Sequence, residues 1–270
     1  GKGVVVCQTK KQAYEAIDMM LSGGFGDAGE TIIVETCISG PELSAFALID
    51  SKVVTWLASA RDYKRAFDGD TGPNTGGMGA LSPSPEETNT LRDQIMDTIL
   101  IPVAKGMVLD GAPYTGILYA GLMLTKAGPQ VIEFNCRFGD PEAQVILPRL
   151  QSDLLELILI HCNQKQESAT VSFSNEIAIT VVMANKGYPG EYKRNSIITD
   201  MDDIPLDEDS YIYHSGTGTN QQGQIIAKGG RVLSVTAKAK NFKEARLKAY
   251  KTVTKIKWDN GFYRTDIAKY

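Results

Sequence analysis

Apolar positions at Ala13, Ala16, Ile17, Met20 and Leu21 repeat with the spacing of one helical face and predict a helix over 10–21. Short apolar runs bounded by turn residues predict strands at 4–7, 31–35, 43–49 and 52–58. The glycine-rich stretch 22–27 breaks the helix, Ser39-Gly40-Pro41 turns the chain, and Asp50-Ser51 joins the last two strands tightly. Further on, 86–109 reads as one helix bent at Pro102. Strands at 116–125 and 130–135 turn at Ala127-Gly128-Pro129, and helices follow at 141–150 and 153–162, the second capped by Ser152. A polar stretch at 163–170 marks the expected domain boundary. Beyond it the pattern predicts a strand at 177–184, a turn at 187–190, a hairpin about Gly229-Gly230 leading into 232–237, and a basic amphipathic helix at 242–256.

One region lacks any period. Residues 61–85 carry five glycines (Gly69, Gly72, Gly76, Gly77 and Gly79) and three prolines, and are expected to form one long loop. Loops of that length inside a domain are usually functional.

Composition then narrows the classes. The chain has 270 residues, 43% hydrophobic and 22% charged, enough to bury a core in one large domain or two ordinary ones. A net charge of −4 argues against a chain-wide nucleic-acid surface. The longest apolar run, 154–160, is interrupted by Glu156 and reads as a buried helix, so no membrane span is expected; a signal peptide pattern is also lacking. Cys7, Cys37, Cys136 and Cys162 show no C-x-x-C spacing, and His161 and His214 are the only histidines. A zinc site, a disulfide framework and a Ser-His-Asp centre are therefore disfavoured. Reduced cysteines in a cytoplasmic protein are expected.

The sharpest chemistry lies in Glu133-Phe134-Asn135-Cys136-Arg137-Phe138-Gly139-Asp140-Pro141-Glu142. Strand alternation puts Glu133, Asn135 and Arg137 on one face and Ile132 and Phe134 toward the core. A carboxylate and a carboxamide offer the hard oxygens that Mg²⁺ takes, and a guanidinium fork suits a phosphate. A second signal is Asp70-Thr71-Gly72-Pro73-Asn74-Thr75-Gly76-Gly77-Met78-Gly79, preceded by Arg61-Asp62-Tyr63-Lys64-Arg65. Glycines there permit backbone N–H groups to converge on an anion. A third is Val34-Glu35-Thr36-Cys37-Ile38-Ser39-Gly40-Pro41-Glu42, which by itself reads only as strand, turn and strand.

Taken together, these segments resemble the glycinamide ribonucleotide synthetases of the ATP-grasp superfamily, in order and over essentially the whole chain. The resemblance implies an α+β ATP-grasp fold, with two αβ lobes around ATP and a C-terminal αβ domain. It divides the chain into a partial small lobe at 1–60, a catalytic lobe at 61–165 and a C-terminal domain at 171–270. By matching position, Glu133 and Asn135 would hold Mg²⁺ or Mn²⁺, while Arg137 and Lys64 become the candidate catalytic side chains at the transferred phosphoryl group. Glu35, Cys37, Ile38, Glu42 and Lys2 would contact the nucleotide; Asp62, Asn74, Thr75, Gly76, Gly77 and Asp140 would contact the other substrates. One departure stands out: 116–125, where many ATP-grasp enzymes place another metal carboxylate, has no acid. The implied reaction joins glycine to 5-phosphoribosylamine at the expense of ATP, through glycyl phosphate, in purine biosynthesis. No nucleic acid or membrane takes part.

Two other readings are a different ATP-grasp ligase or carboxylase, and a nucleotide-binding module without turnover. Gly1-Lys2-Gly3 runs straight into an apolar segment, so the chain is expected to begin inside a domain. On that expectation it lacks the family's N-terminal portion, needs that segment as a partner, and is inactive alone.

Overall fold

Strand pairing, more than any single run of sequence, organises the chain. The computed structural model describes residues 3–51, 53–162, 170–201 and 203–269. Lys2 and the boundary stretch 163–169 lie outside them. In chain order the strands are β1 (Glu42–Asp50), β2 (Val53–Asp62), β3 (Arg65–Phe67), β4 (Thr71–Asn74), β5 (Gly79–Ser82), β6 (Thr115–Thr125) and β7 (Gly128–Asn135). They continue with β8 (Ile177–Asn185), β9 (Ser196–Ile197), β10 (Ser210–His214), β11 (Thr217–Thr219), β12 (Ile225–Ala227), β13 (Arg231–Ala239) and β14 (Gly261–Phe262). The α-helices are α1 (Lys10–Met19), α2 (Asn89–Ile95), α3 (Ile101–Leu109), α4 (Ala143–Ile146), α5 (Leu154–Cys162) and α6 (Phe242–Val253).

A nine-stranded antiparallel sheet runs in the order β10-β13-β8-β5-β2-β1-β6-β7, with β14 beside β8. β1 lies inside it and is buried on both faces, as an apolar run without alternation requires. On one face Leu43, Ala45, Ala47 and Ile49 pack with Leu118, Ala120 and Leu122 against Ile95, Ile99 and Leu100 of the helical segment that contains α2. On the other, Phe46, Leu48 and Tyr119 pack with Val145, Ile146 and Leu157 from α4 and α5. A third cluster joins β8 and β13 to Ala245, Ala249 and Val253 of α6.

Several expectations change. Residues 4–7 and 31–35 are not strands: no strand among the described residues pairs with them, and Val4, Val6, Ile33 and Val34 stay exposed. Apolar sequence makes a strand only where another edge supplies hydrogen bonds. Residues 61–85 are not one loop. They hold β3, β4, β5 and the end of β2, and β5 links β2 to β8 by backbone pairing that periodicity cannot reveal. The helix expected at 86–109 begins at Asn89 behind the Thr88 cap and widens into a π turn, Met96–Leu100, just before Pro102. Asp153, not Ser152, caps α5, accepting from the Glu156 amide at 2.9 Å. Gly229-Gly230 does not close a hairpin. β12 pairs with β9 and β11, while β13 pairs with β8 and β10, so the glycines carry the chain from one sheet to another. Ile132 and Phe134 are 40% and 39% exposed, not core, because β7 is the sheet's last strand. Among the described residues no helix is long and apolar enough to cross a membrane.

Candidate functional site

The sheet face that carries Phe46 and Leu48 changes character along its strands. Two residues before Phe46 stands Ser44, and two before that Glu42, so alternation delivers both to the same face. Register brings up the rest: Gly121 lies opposite both Ser44 and Glu133, and Tyr119 opposite both Phe46 and Asn135. Glu133 and Asn135 are thus placed by strand pairing on the face of Ser44 and Glu42. The apolar half of this face is core and the polar half is the candidate site.

Lys64 crosses into this region and its Nζ lies 2.7 Å from Glu42 Oε2. Burial works against the Lys64 charge, but Glu42, then Asp62 and Glu133, outweigh it and hold its pKa above the ordinary lysine value. Asp62 and Glu142 are carried to the same place. Burial first, and the Glu142 charge second, hold the Asp62 carboxyl well above the usual carboxylate range. Burial also raises Glu142, only 3% exposed, although the Ser44 hydroxyl donates to its Oε1 at 3.0 Å. Arg137 donates to Phe138 O at 2.8 Å and to Asn135 Oδ1 at 3.5 Å. Glu133 and Asn135 are oxygen donors with the chemistry of a magnesium site; among the described residues no three His, Cys, Asp or Glu side chains gather into a metal-holding group.

The glycine-rich loop is held from inside. Thr75 donates to Lys64 O through both its amide and its hydroxyl at 2.8 Å, and the Gly77 amide donates to Thr75 Oγ1 at 3.0 Å. The Gly76 amide donates to Tyr188 Oη at 3.0 Å, and Met78 N to Tyr63 O at 2.8 Å. These amides are therefore occupied, which corrects the expectation that they converge on an anion. Gly77, at φ +110°, is required here for another reason: a Cβ would stand 2.6 Å from Asp62 Oδ1 and would strike Pro141. Asn74 is exposed on β4, opposite Arg65.

Arg231, at the start of β13, spans the loop and the segment after β7. Its Nη1 donates to Gly76 O at 2.6 Å and Asp140 O at 2.7 Å, and its Nη2 to Asp140 Oδ2 at 2.9 Å. Tyr188 and Arg231 therefore bring the C-terminal strands to the site. Nothing local to Gly229-Gly230-Arg231 states what the Arg231 side chain meets, so the sequence pattern gives it no role. A second clamp holds β3 and β4. Arg264, its side chain 1% exposed, donates to Asp70 Oδ1 at 2.8 Å, Arg65 O at 3.1 Å and both oxygens of Asp266, while Asp68 accepts from Thr265. The remaining expected contacts are less gathered. Glu35 and Cys37 are exposed and Ile38 half-buried in a segment without secondary structure. Its end is fixed, because Gly40 lies against the Leu124 carbonyl and Leu124 N donates to Pro41 O at 2.8 Å. His214 meets Thr217 at 3.0 Å on an exposed strand end.

Comparison with known proteins agrees with this architecture. The model of the phosphoribosylglycinamide synthetase ATP-grasp (A) domain matches residues 1–143, and that of the C domain of the same synthetase matches 178–270. The phosphoribosylamine–glycine ligase of Vigna unguiculata is 47% identical over 266 residues, covering 97% of this chain and 86% of its own. The chloroplastic ligase of Arabidopsis thaliana is 47% identical across 99% of this chain, which spans only 51% of that relative. For the ligase of Escherichia coli K12 the figures are 45%, 99% and 62%. The chain thus spans about half to six-tenths of the Arabidopsis and E. coli relatives. The crystal structure of the Thermotoga maritima phosphoribosylamine–glycine ligase superimposes with a TM-score of 0.85 at 31% identity, over 99% of this chain and 66% of that one. The biotin carboxylase domain of a Hydrogenobacter thermophilus 2-oxoglutarate carboxylase shares the fold, with a TM-score of 0.68 at 16% identity, over 97% of this chain and 55% of that one. The fold is α+β and ATP-grasp, and the chain belongs to the phosphoribosylglycinamide synthetase family.

Proposed function

We propose that this chain carries the site at which glycine is joined to 5-phosphoribosylamine, with ATP converted to ADP and phosphate and glycinamide ribonucleotide formed for purine biosynthesis. The observation that carries the reading is the meeting of Glu133, Asn135, Lys64 and Glu42 beside one glycine-rich loop on one sheet face. A carboxylate is a poor electrophile for an amine. Transfer of the γ-phosphoryl group to glycine makes an acyl phosphate, which the amine attacks with release of phosphate.

Glu133 and Asn135 fit a magnesium or manganese ion through their oxygens, with the phosphates completing the shell, since magnesium is usually held by one or two side chains and its nucleotide. When bound, the ion neutralises phosphate charge and keeps the reacting groups in line. Lys64 and Arg137 place positive charge against the phosphoryl group in transit. Glu42 orients Lys64 and is the candidate acceptor for the ribose hydroxyls, while Glu35, Cys37 and Ile38 lie along the candidate adenine edge; Lys2, outside the described residues, is a candidate contact to the nucleotide. Asp62, Asn74, Thr75, Gly76, Gly77 and Asp140 line the side for glycine and the phosphoribosylamine, and the loop shields the acyl phosphate from water.

The test is ADP formation with each substrate omitted in turn. ADP that needs both glycine and phosphoribosylamine, and falls by about a hundredfold or more in Glu133→Ala, supports the ligase; ADP indifferent to glycine sinks it.

A narrower reading, nucleotide binding without turnover, is favoured by one observation: residues 4–7 and 31–35 carry exposed apolar side chains and pair with no strand among the described residues. On this proposal the small lobe of 1–60 is completed by an N-terminal segment of the kind its longer relatives possess, while 61–165 and 171–270 act as catalytic lobe and C-terminal domain. Adding such a segment should raise turnover from near zero; robust turnover by the chain alone would refute the need. Four free cysteines suit a reducing compartment, and we place the protein in the cytoplasm; fractionation with an organelle would overturn that.

A further inference from the structure

Lys64 stands in the two-residue link between β2 and β3, outside regular secondary structure. A long, flexible side chain is only as well placed as the backbone that bears it. That backbone is gripped on both sides by one residue from far along the chain. Arg264 Nη1 donates to the carbonyl of Arg65, just after Lys64, at 3.1 Å. The same guanidinium carbon lies 5.3 Å from the centre of the Tyr63 ring, just before Lys64. Arg264 is itself firmly mounted, two residues beyond β14. Its side chain is 1% exposed, and its Nε and Nη2 donate to the two oxygens of Asp266 at 2.8 Å. The Tyr250 hydroxyl donates to Arg264 O at 2.7 Å and Arg246 Nε to Ile267 O at 3.0 Å, so the segment rests on α6.

We propose that Arg264 is a positioning residue for Lys64, fixing the backbone that aims the Lys64 ammonium into the site. This rests on the ligase reading of the site and adds to it a residue of the C-terminal region that touches no reacting atom. A second arm of the same grip closes the hairpin that begins at Lys64. Asp70, between β3 and β4, accepts from Arg264 Nη1 at 2.8 Å and sits at φ +52°. A residue other than glycine holds that left-handed backbone only where its surroundings determine it. At the hairpin's other end Thr75 donates to Lys64 O through its amide and its hydroxyl at 2.8 Å. Lys64 is thus fixed at the base of a hairpin whose tip and first strand are both held by Arg264. Asp70 and Asp266 balance the guanidinium charge, so Arg264 supplies placement to Lys64 and little potential. The planar fork matters here, because a single ammonium cannot serve Asp266, Asp70 and the Arg65 carbonyl together.

The test uses the native protein that carries this chain and reads ADP formation. Arg264→Lys keeps the charge and loses the fork. It should lower kcat about tenfold and leave the KM values for glycine and ATP within about twofold. In Lys64→Met, itself slower by about a hundredfold, adding Arg264→Lys should cost less than about twofold more, because the group it positions is gone. The loss in urea unfolding on adding Arg264→Lys should be the same in both backgrounds, which separates placement of Lys64 from general support of the fold. If Arg264→Lys does not fold, Asp70→Gly, which tolerates the left-handed turn and frees one arm of the guanidinium, is held to the same measurements. An unchanged kcat, a rise in KM alone, or the same loss of kcat in both backgrounds overturns the positioning role while the ligase stands. Wild-type ADP formation that does not require glycine overturns both.

Discussion

Residues 3–41 and 42–82 both carry candidate contacts to the nucleotide or its co-substrates, yet they are built in opposite ways. The first has locally complete structure: Thr9 and Gln12 form a capping box that starts α1. No residue of α1 is buried, and Ile33 and Val34 are 84% and 77% exposed. The second buries Leu43 at 2% and Ala45, Phe46 and Ile49 at 0%, and is tied by Arg231 and Arg264 to strands far along the chain. A cap and a helical period suffice to form a helix, whereas stability and precise placement come from the surface it is packed against. The adenine-edge candidates Glu35, Cys37 and Ile38 fall in the first region, and Glu42, Asp62, Lys64 and the loop candidates Asn74, Thr75, Gly76 and Gly77 in the second.

If this contrast is right, limited proteolysis should cut within 3–41 at least about a hundredfold faster than within 42–82. Comparable rates would break the comparison. Next in size, Arg264→Met should cost about 2–3 kcal/mol in urea unfolding, because it leaves Asp266 and the Arg65 carbonyl without their shared donor. Arg231→Met should lower kcat/KM about tenfold, with a smaller loss of stability, by freeing the Gly76 and Asp140 carbonyls from one another.

Acid sharpens the same contrast. Burial alone would raise Asp266, but hydrogen bonds from Arg264 and the Gly69 amide outweigh it and bring its pKa from 3.8 to about 2. A depressed folded-state pKa stabilises above the unfolded value and loses that contribution as pH falls through the folded value. The stability gap between wild type and Asp266→Asn should therefore close as pH falls from 3.8 to about 2, read by thermal unfolding. The smallest effect belongs to the N-terminal region: Lys11→Ala removes an exposed pair with Glu15 at 3.8 Å and should shift stability by less than about 0.5 kcal/mol.

Much of the site was legible as local pattern. Strand alternation put Glu133 and Asn135 on one face, and the density of glycine after Asp70 marked the candidate substrate loop. The same reasoning failed where another part of the chain decided the outcome. Alternation sent Phe134 to the core, but among the described residues β7 has a neighbour on one side only, and Phe134 is 39% exposed. The loop glycines promised free amides, but Tyr188 occupies that of Gly76 and Thr75 that of Gly77, while Tyr63 takes the neighbouring Met78 amide. Arg231 carried no periodicity to aim it, and its partners lie 91 and 155 residues away.

What the sequence determined by itself is what short-range physics can specify: the helical period and cap of α1, the apolar run from Ala45 to Ile49 in β1, the donor types on β7, and the turns around them. The tertiary structure decided which apolar runs became strands, which acids were buried together and which arginines closed the site. Backbone hydrogen bonds between strands and the desolvation of charged groups depend on neighbours that the chain brings together only by folding.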